Sequence, residues 1–295
     1  MTNSNILKCS YIHGEKIIDT DQGKFMITPK CNDKHKIFRY LEQRDFPFFL
    51  PMEDLIDDKD EVYRYDFDDV DLEDKAVDLV HLLSLLHIKT TSYRDITMDA
   101  VKELYEDLSS RIEQEITYYR NLQDTMESHV YMSPDRYFLI RNISLFYDNL
   151  ELSRSFLEQW YEIKKDSKRE RVVFLHKMPS LLHFVDKKPA YFTHWDLSEK
   201  GYPVYDFLYF YQKHFQELEM SSLYEIYQSR FLFSKDEEYL FFSLLLLSDV
   251  FSFTSDIYQN TVLLQQLILY QLKARDFVLK QNHKNQETNN QEFNQ

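Results

Sequence analysis

At 295 residues the chain is long enough for one large domain or two lobes, and its 43% hydrophobic and 16% aromatic content supplies a core that a disordered protein lacks. A net charge of −15 excludes reliance on phosphate-backbone contacts, so nucleic acid is not an expected partner, and Cys9 and Cys31 are too few for a disulfide framework or a structural zinc site. Only 3 glycines stand against 22 tyrosines and 23 phenylalanines, which excludes a turn-rich barrel, leaves little material for a phosphate-cradling loop and favours mostly helical structure.

Residues 6 to 30 predict three short strands, Ile6 to Tyr11, Lys16 to Ile18 and Lys24 to Ile27, separated by His13-Gly14 and Asp21-Gln22-Gly23. Ile37, Phe38 and Leu41 then recur at helical spacing after an Asn32-Asp33 cap, predicting a helix over Asp33 to Arg44. Phe46 to Leu50 leads through Pro51 into a further strand, Glu61 to Tyr65. Carboxylates crowd the span from Glu53 to Asp74 against Lys59 and Arg64 alone, so this stretch disfavours an anionic nucleotide beside it.

From Ala76 the periodicity turns helical. Ala76, Leu79, Val80, Leu83 and Leu86 share one face, and the helix ends Leu85-Leu86-His87. Val101 to Met126 extends the same period. Ser133-Pro134 then caps a fresh helix that carries Leu139, Ile143, Phe146, Leu150, Leu157 and Trp160 and stops in the basic run Lys164 to Arg171. Later helices are expected over Ser222 to Arg230, Asp236 to Phe251 and Asp256 to Lys280, with a disordered polar tail over 281–295. The opening residues MTNSNILKCS lack the apolar stretch of a signal peptide. The most apolar segment, Tyr239 to Phe253, is broken by Asp249 and falls short of the ~20 residues that span a bilayer. A cytoplasmic protein without a membrane span is therefore expected.

The segment 171–211 organises the rest. It reads as an apolar run ending in His176, a loop to His183, a short strand, Trp195-Asp196, and a Gly201-Tyr202-Pro203 turn opening a helix with Asp206. This order resembles the catalytic segment of the aminoglycoside phosphotransferase and choline kinase-like families, where the pattern is H-G-D-x-x-x-x-N, a hairpin, I-D-W and P-x-x-D. Leu86-His87 is similar to the L-x-x-L-H that opens their helical lobe. The resemblance implies an α+β, bilobal protein-kinase-like fold, with a small antiparallel-sheet N-lobe over 1–65 and a mostly helical C-lobe over 66–280. His87, Trp195 and Asp206 take structural roles in it.

The residues that would carry chemistry depart from the pattern. Lys177-Met178 stand at Gly-Asp, His183 at Asn, and Thr193-His194-Trp195 at Ile-Asp-Trp; only His176 survives, as a vestige. Thr28 stands where the resemblance places the phosphate-pairing lysine, with Lys24 and Lys30 as nearby substitutes and Glu42 as its helix partner. Phosphoryl transfer works by positioning groups and neutralising charge. A thioether takes no proton, and magnesium seeks oxygen ligands, not imidazole. The resemblance thus implies a degenerate member, a pseudokinase comparable to bacterial spore-coat kinase-like proteins, with no cofactor and an unidentified protein partner or small ligand.

Two other readings stand beside it. In an atypical kinase using ATP and Mg on a cationic hydroxyl substrate, an amino alcohol or aminoglycoside, Asp196 would share a side with His194 on an extended segment and hold the metal, with His176 or His183 as base. A metal-dependent hydrolase would instead use His176, His183 and His194.

Overall fold

The computed structural model describes residues 6–12, 15–29, 34–49, 53–57, 60–64, 71–128, 131–186 and 189–292. In chain order the elements are β1 (Ile6–Ile12), β2 (Glu15–Thr20), β3 (Gly23–Pro29), α1 (Lys34–Gln43), β4 (Glu53–Asp57), β5 (Asp60–Arg64), α2 (Leu72–Thr90), β6 (Ser92–Asp95), α3 (Met98–Glu127), α4 (Pro134–Lys164), β7 (Arg169–Leu175), β8 (Phe184–Val185), β9 (Tyr191–Phe192), β10 (Glu199–Gly201), α5 (Val204–His214), α6 (Met220–Arg230), α7 (Lys235–Leu246) and α8 (Ile257–Glu292). The class is α+β, with a small antiparallel sheet at the N-terminal end and helices dominating the remainder.

Two compact units share the chain. The first takes residues 1–92, 172–214 and 222–232, and the second takes 93–171, 215–221 and 233–295. The units therefore do not follow a single cut near residue 65. Tyr65, the expected end of the last strand, lies outside the described residues, as do the His13-Gly14 turn, the Asn32-Asp33 cap and Lys30.

In the first unit the five-stranded sheet has the order β1-β2-β3-β5-β4. The β2–β3 turn works as its sequence suggests. Gly23 adopts φ 131°, a region open to glycine, and the Thr20 hydroxyl donates to Gly23 O at 2.8 Å while accepting from Gln22 N at 3.2 Å. Ile18 pairs with Phe25, and both are buried. α2 is capped by Asp71, whose carboxylate accepts from Glu73 N, and it buries Ala76, Leu79, Val80, Leu83 and Leu86 completely. Each such leucine or valine contributes about 1.5–3 kcal/mol of transfer free energy.

β10 pairs antiparallel with residues 173–175 of β7. A Cβ at residue 201 would stand 2.6 Å from Leu175 Cδ1, so a larger residue there would have to displace that side chain. β4 and β10, together with β6 in the second unit, were not expected from the sequence.

The second unit is a helical assembly in which α4 packs on α3, α7 and α8. Leu139, Ile143, Phe146, Leu150, Leu157 and Trp160 are all buried, as the α4 periodicity requires. One acid lies on the core face of α3: Glu115 is buried, and desolvation pushes its carboxyl above the usual range while Arg111 at 3.0 Å opposes the shift. Arg171 and Lys164 secure the start of α7 through Glu237 and Asp236.

One expectation fails here: α7 stops at Leu246 rather than Phe251, where Leu247 turns extended. α8 runs to Glu292. Among the described residues no helix is long and apolar enough to cross a membrane.

Candidate functional site

The site lies in the first unit and is built around the Asp206 carboxylate. α5 begins just after Pro203 and carries Asp206 in its first turn, fully buried. Its Oδ2 accepts from His176 N at 2.8 Å and its Oδ1 from Lys177 N at 2.7 Å. The ring of His87, also fully buried, meets Oδ2 through Nε2 at 3.0 Å, and its Nδ1 is 2.6 Å from the Tyr227 hydroxyl. Four elements are thereby tied together: α2, α5, α6 and the loop after β7. A buried carboxylate tolerates desolvation when donors surround it, and charge-assisted bonds contribute roughly 1.5–3 kcal/mol each.

Lys177 sits at φ 73°, the left-handed region that favours glycine. The pattern that this segment resembles has glycine at this position, and Lys177 takes a conformation that glycine adopts without strain. Lys177 Nζ extends to Glu199 Oε1 at 2.6 Å.

His176 is fully buried. Its Nε2 donates to Thr193 O at 2.6 Å, and aromatic rings enclose it, with Phe192 and Trp195 each at 4.8 Å between centroids. Burial lowers its pKa to about 4; His183 adds to that, while Asp206 and the backbones of Thr193 and Met178 act against it. The ring is neutral near pH 7, and the nitrogen bound to Thr193 O cannot also take a proton from a substrate.

Trp195 is buried, with Nε1 donating to Phe192 O at 3.1 Å. Phe192 itself is held by the chain after α1: its N–H donates to Phe48 O at 3.1 Å, and it forms a parallel bridge with Phe49.

His183 and His194 come together. His183 Nδ1 donates to Met178 O at 2.9 Å, and its ring stacks on that of His194 at 4.2 Å. The His194 Nδ1 is 2.9 Å from the Thr193 hydroxyl. Both histidines are buried, and Met178, whose carbonyl bonds His183, is half-buried.

Asp196 does not follow the extended path expected of it. His194 adopts φ 60°, and Ser198 N donates to Trp195 O, so Asp196 lies in a turn and the two-residue alternation that would align it with His194 is absent. The rings of His176 and His183 stand 6.5 Å apart, and among the described residues no group of three His, Cys, Asp or Glu side chains is placed to hold a metal. Thr28 lies on β3 with its backbone opposite Glu61 in β5, and Glu42 is exposed on α1.

Tyr227 and Phe192 belong to this site and were not singled out from sequence. Only the Pro203-to-Asp206 spacing and His87 gave a signal toward the network that Tyr227 completes.

No protein-family model matches the sequence, and no curated protein matches it either. Solved structures do match. An aminoglycoside phosphotransferase from Alicyclobacillus acidocaldarius subsp. acidocaldarius DSM 446 superposes with a TM-score of 0.66 at 11% identity, over 95% of this chain and 92% of that one. Spectinomycin phosphotransferase APH(9)-Ia, in its AMP-bound complex, gives a TM-score of 0.52 at 12% identity, over 93% and 89%. The same enzyme with ADP and spectinomycin gives 0.50 at 11% identity, over 92% and 94%. The fold is thus the protein-kinase-like fold of the aminoglycoside phosphotransferases, and at these identities it is the fold that is shared.

Proposed function

We propose that this chain is a catalytically degenerate phosphotransferase-like protein, a pseudokinase that uses its fold for binding, scaffolding or regulation. The observation that carries the proposal is the stacked His183–His194 pair beside Met178. Phosphoryl transfer needs a group that orients the hydroxyl and hard oxygen ligands for magnesium. At the matching positions stand a thioether and two buried imidazoles, each with one ring nitrogen already committed to a hydrogen bond. The surrounding framework of Asp206, His87 and Trp195 supports a folded loop with or without catalysis.

A second reading draws on the neighbour with ADP and spectinomycin. In it the chain is an ATP-dependent kinase for a cationic hydroxyl substrate, with Asp196 as metal ligand.

Thermal unfolding with and without millimolar ATP and magnesium separates the two. A ligand at a hundred times its dissociation constant adds about 2.7 kcal/mol, a shift of several degrees in Tm. The pseudokinase proposal expects no shift. A clear rise that requires magnesium would overturn it in favour of the kinase.

A further inference from the structure

We infer that α8 is a self-association surface, on which a second copy of this chain packs its own α8 in antiparallel orientation. The inference rests on the second unit alone and is independent of the functional proposal.

α8 buries one face in its own unit, through Leu264, Ile268, Gln271, Ala274 and Val278. Its opposite face carries a second apolar stripe. Tyr258, Leu269, Leu272 and Leu279 are 80%, 40%, 45% and 36% exposed, and Val262 lies half-buried among them. Their spacing alternates between three and four residues once Gln265 and Asp276 are included, which is the seam of a coiled coil rather than the scatter of ordinary surface leucines.

The stripe is complementary to itself in one register. In an antiparallel pair whose two-fold axis lies level with Tyr270 and Gln271, Leu269 meets the partner's Leu272, and Val262 meets the partner's Leu279. Gln265 meets the partner's Asp276, so the two polar positions between Val262 and Leu279 face each other, amide against carboxylate, and Tyr258 meets the partner's His283 at the edge of the seam. Charges at the edges also avoid conflict: Lys273 falls beside the partner's Gln266, and Lys280 beside the partner's Gln259. Isologous contacts of this kind close as a dimer and do not polymerise.

The area sets the strength. From Tyr258 to Leu279 the stripe runs about 32 Å at 1.5 Å per residue, and at a helix width of about 10 Å it offers a strip on the order of 300 Å². This is well below the ~800 Å² that a standard interface takes from each partner, so the dimer is weak and concentration-dependent.

Sedimentation equilibrium of the full chain, from low micromolar to several hundred micromolar, is expected to show a reversible monomer–dimer equilibrium. Leu272→Glu places a charge in the seam twice per dimer and should weaken association by about 100-fold or more, while an unchanged melting curve shows that the exposed site was not needed for folding. Gln265→Glu sets like charges against Asp276 and should also dissociate the dimer, and Gln265→Lys should tighten it. With Cys9 and Cys31 changed to serine, Val262→Cys and Leu279→Cys together should form an oxidised dimer. Leu279→Cys alone should not. A chain that stays monomeric at the highest concentration, a dimer indifferent to Leu272→Glu, or a cross-link through Leu279→Cys alone would each overturn the inference.

Discussion

The imidazoles of His183 and His194 lie face to face, 4.2 Å between ring centroids and 26° between planes. Under the pseudokinase proposal, neither position is restored by itself. Met178→Asp, His183→Asn, His194→Asp and Thr28→Lys together are expected to recover ATP hydrolysis or phosphate transfer to an amino alcohol or aminoglycoside. Each single variant should stay inactive, because groups that act as a unit are strongly non-additive. His194→Asp suits the backbone, since aspartate tolerates the left-handed region at φ 60°. Met178→Asp alone should destabilise the fold by about 1–3 kcal/mol, as a half-buried carboxylate gains no donor or metal. Turnover by the unmodified chain in the same assay would sink the pseudokinase proposal.

Asp206 and Tyr227 are expected to be the stability hubs of the first unit. Asp206→Asn turns an acceptor toward two backbone donors into a group that is part donor, and should cost about 3–5 kcal/mol, the range seen when a buried charged network is broken. Tyr227→Phe leaves His87 Nδ1 buried without its partner and should cost about 1–3 kcal/mol. The double variant should cost less than the sum, since both act on the same imidazole. Urea denaturation measures all three, and an Asp206→Asn protein as stable as the original would refute the role given to that carboxylate.

His176 makes stability depend on acid. Its folded pKa is depressed to about 4, against about 6.5 for an unfolded histidine. The unfolded state therefore binds the proton first. The stability that His176 contributes is full above pH 6.5 and drains away as pH falls toward 4, by about 3 kcal/mol in all at 1.36 kcal/mol per pH unit. His176→Gln retains an N–H where Nε2 donates and cannot titrate. The stability difference between the two proteins should shift by about that amount between pH 7 and pH 4; parallel pH profiles would show that the ring is not held neutral.

Lys177 offers a test of the loop's backbone. Glycine at this position relieves a left-handed strain of roughly 1–2 kcal/mol and loses roughly 0.5–1 kcal/mol of chain entropy. Lys177→Gly should thus be at least as stable as the original. Lys177→Val should be less stable by about 1–2 kcal/mol, because a β-branched side chain crowds positive φ further. Chemical denaturation that ranks valine above glycine would mean that the loop rearranges.

Much of this architecture is legible in the chain because local chemistry and global fold agree there. The Asp21-Gln22-Gly23 turn, the α2 periodicity ending in His87, and the Pro203-x-x-Asp206 start of α5 are each set by residues within a few positions of one another. The strands that escaped reading lack that support: β4 is the carboxylate-rich Glu53–Asp57, poor in strand formers, and β10 spans only Glu199–Gly201. Asp196 was misplaced because alternation assumes an extended backbone, and the positive φ of His194 carries no unambiguous sequence signal. Tyr227 was invisible for another reason, since its partner His87 lies 140 residues away and no pattern in one sequence reports such a pairing.

That separation bears on the order in which the chain can fold as it is made. The first unit is assembled from residues 1–92, 172–214 and 222–232, with part of the second unit's sequence emerging in between. At ~5–20 residues per second, the ribosome needs ~7–28 s after His87 before Tyr227 exists to receive it. For most of that interval the Asp206 anchor is also unsynthesised, and the face of α2 that carries Ala76, Leu79, Val80, Leu83 and Leu86 has no partner from residues 172–232. Nascent chains stalled before residue 206 should therefore be bound by chaperones and cut readily by proteases, and protection should arrive only after the α6 segment has left the exit tunnel.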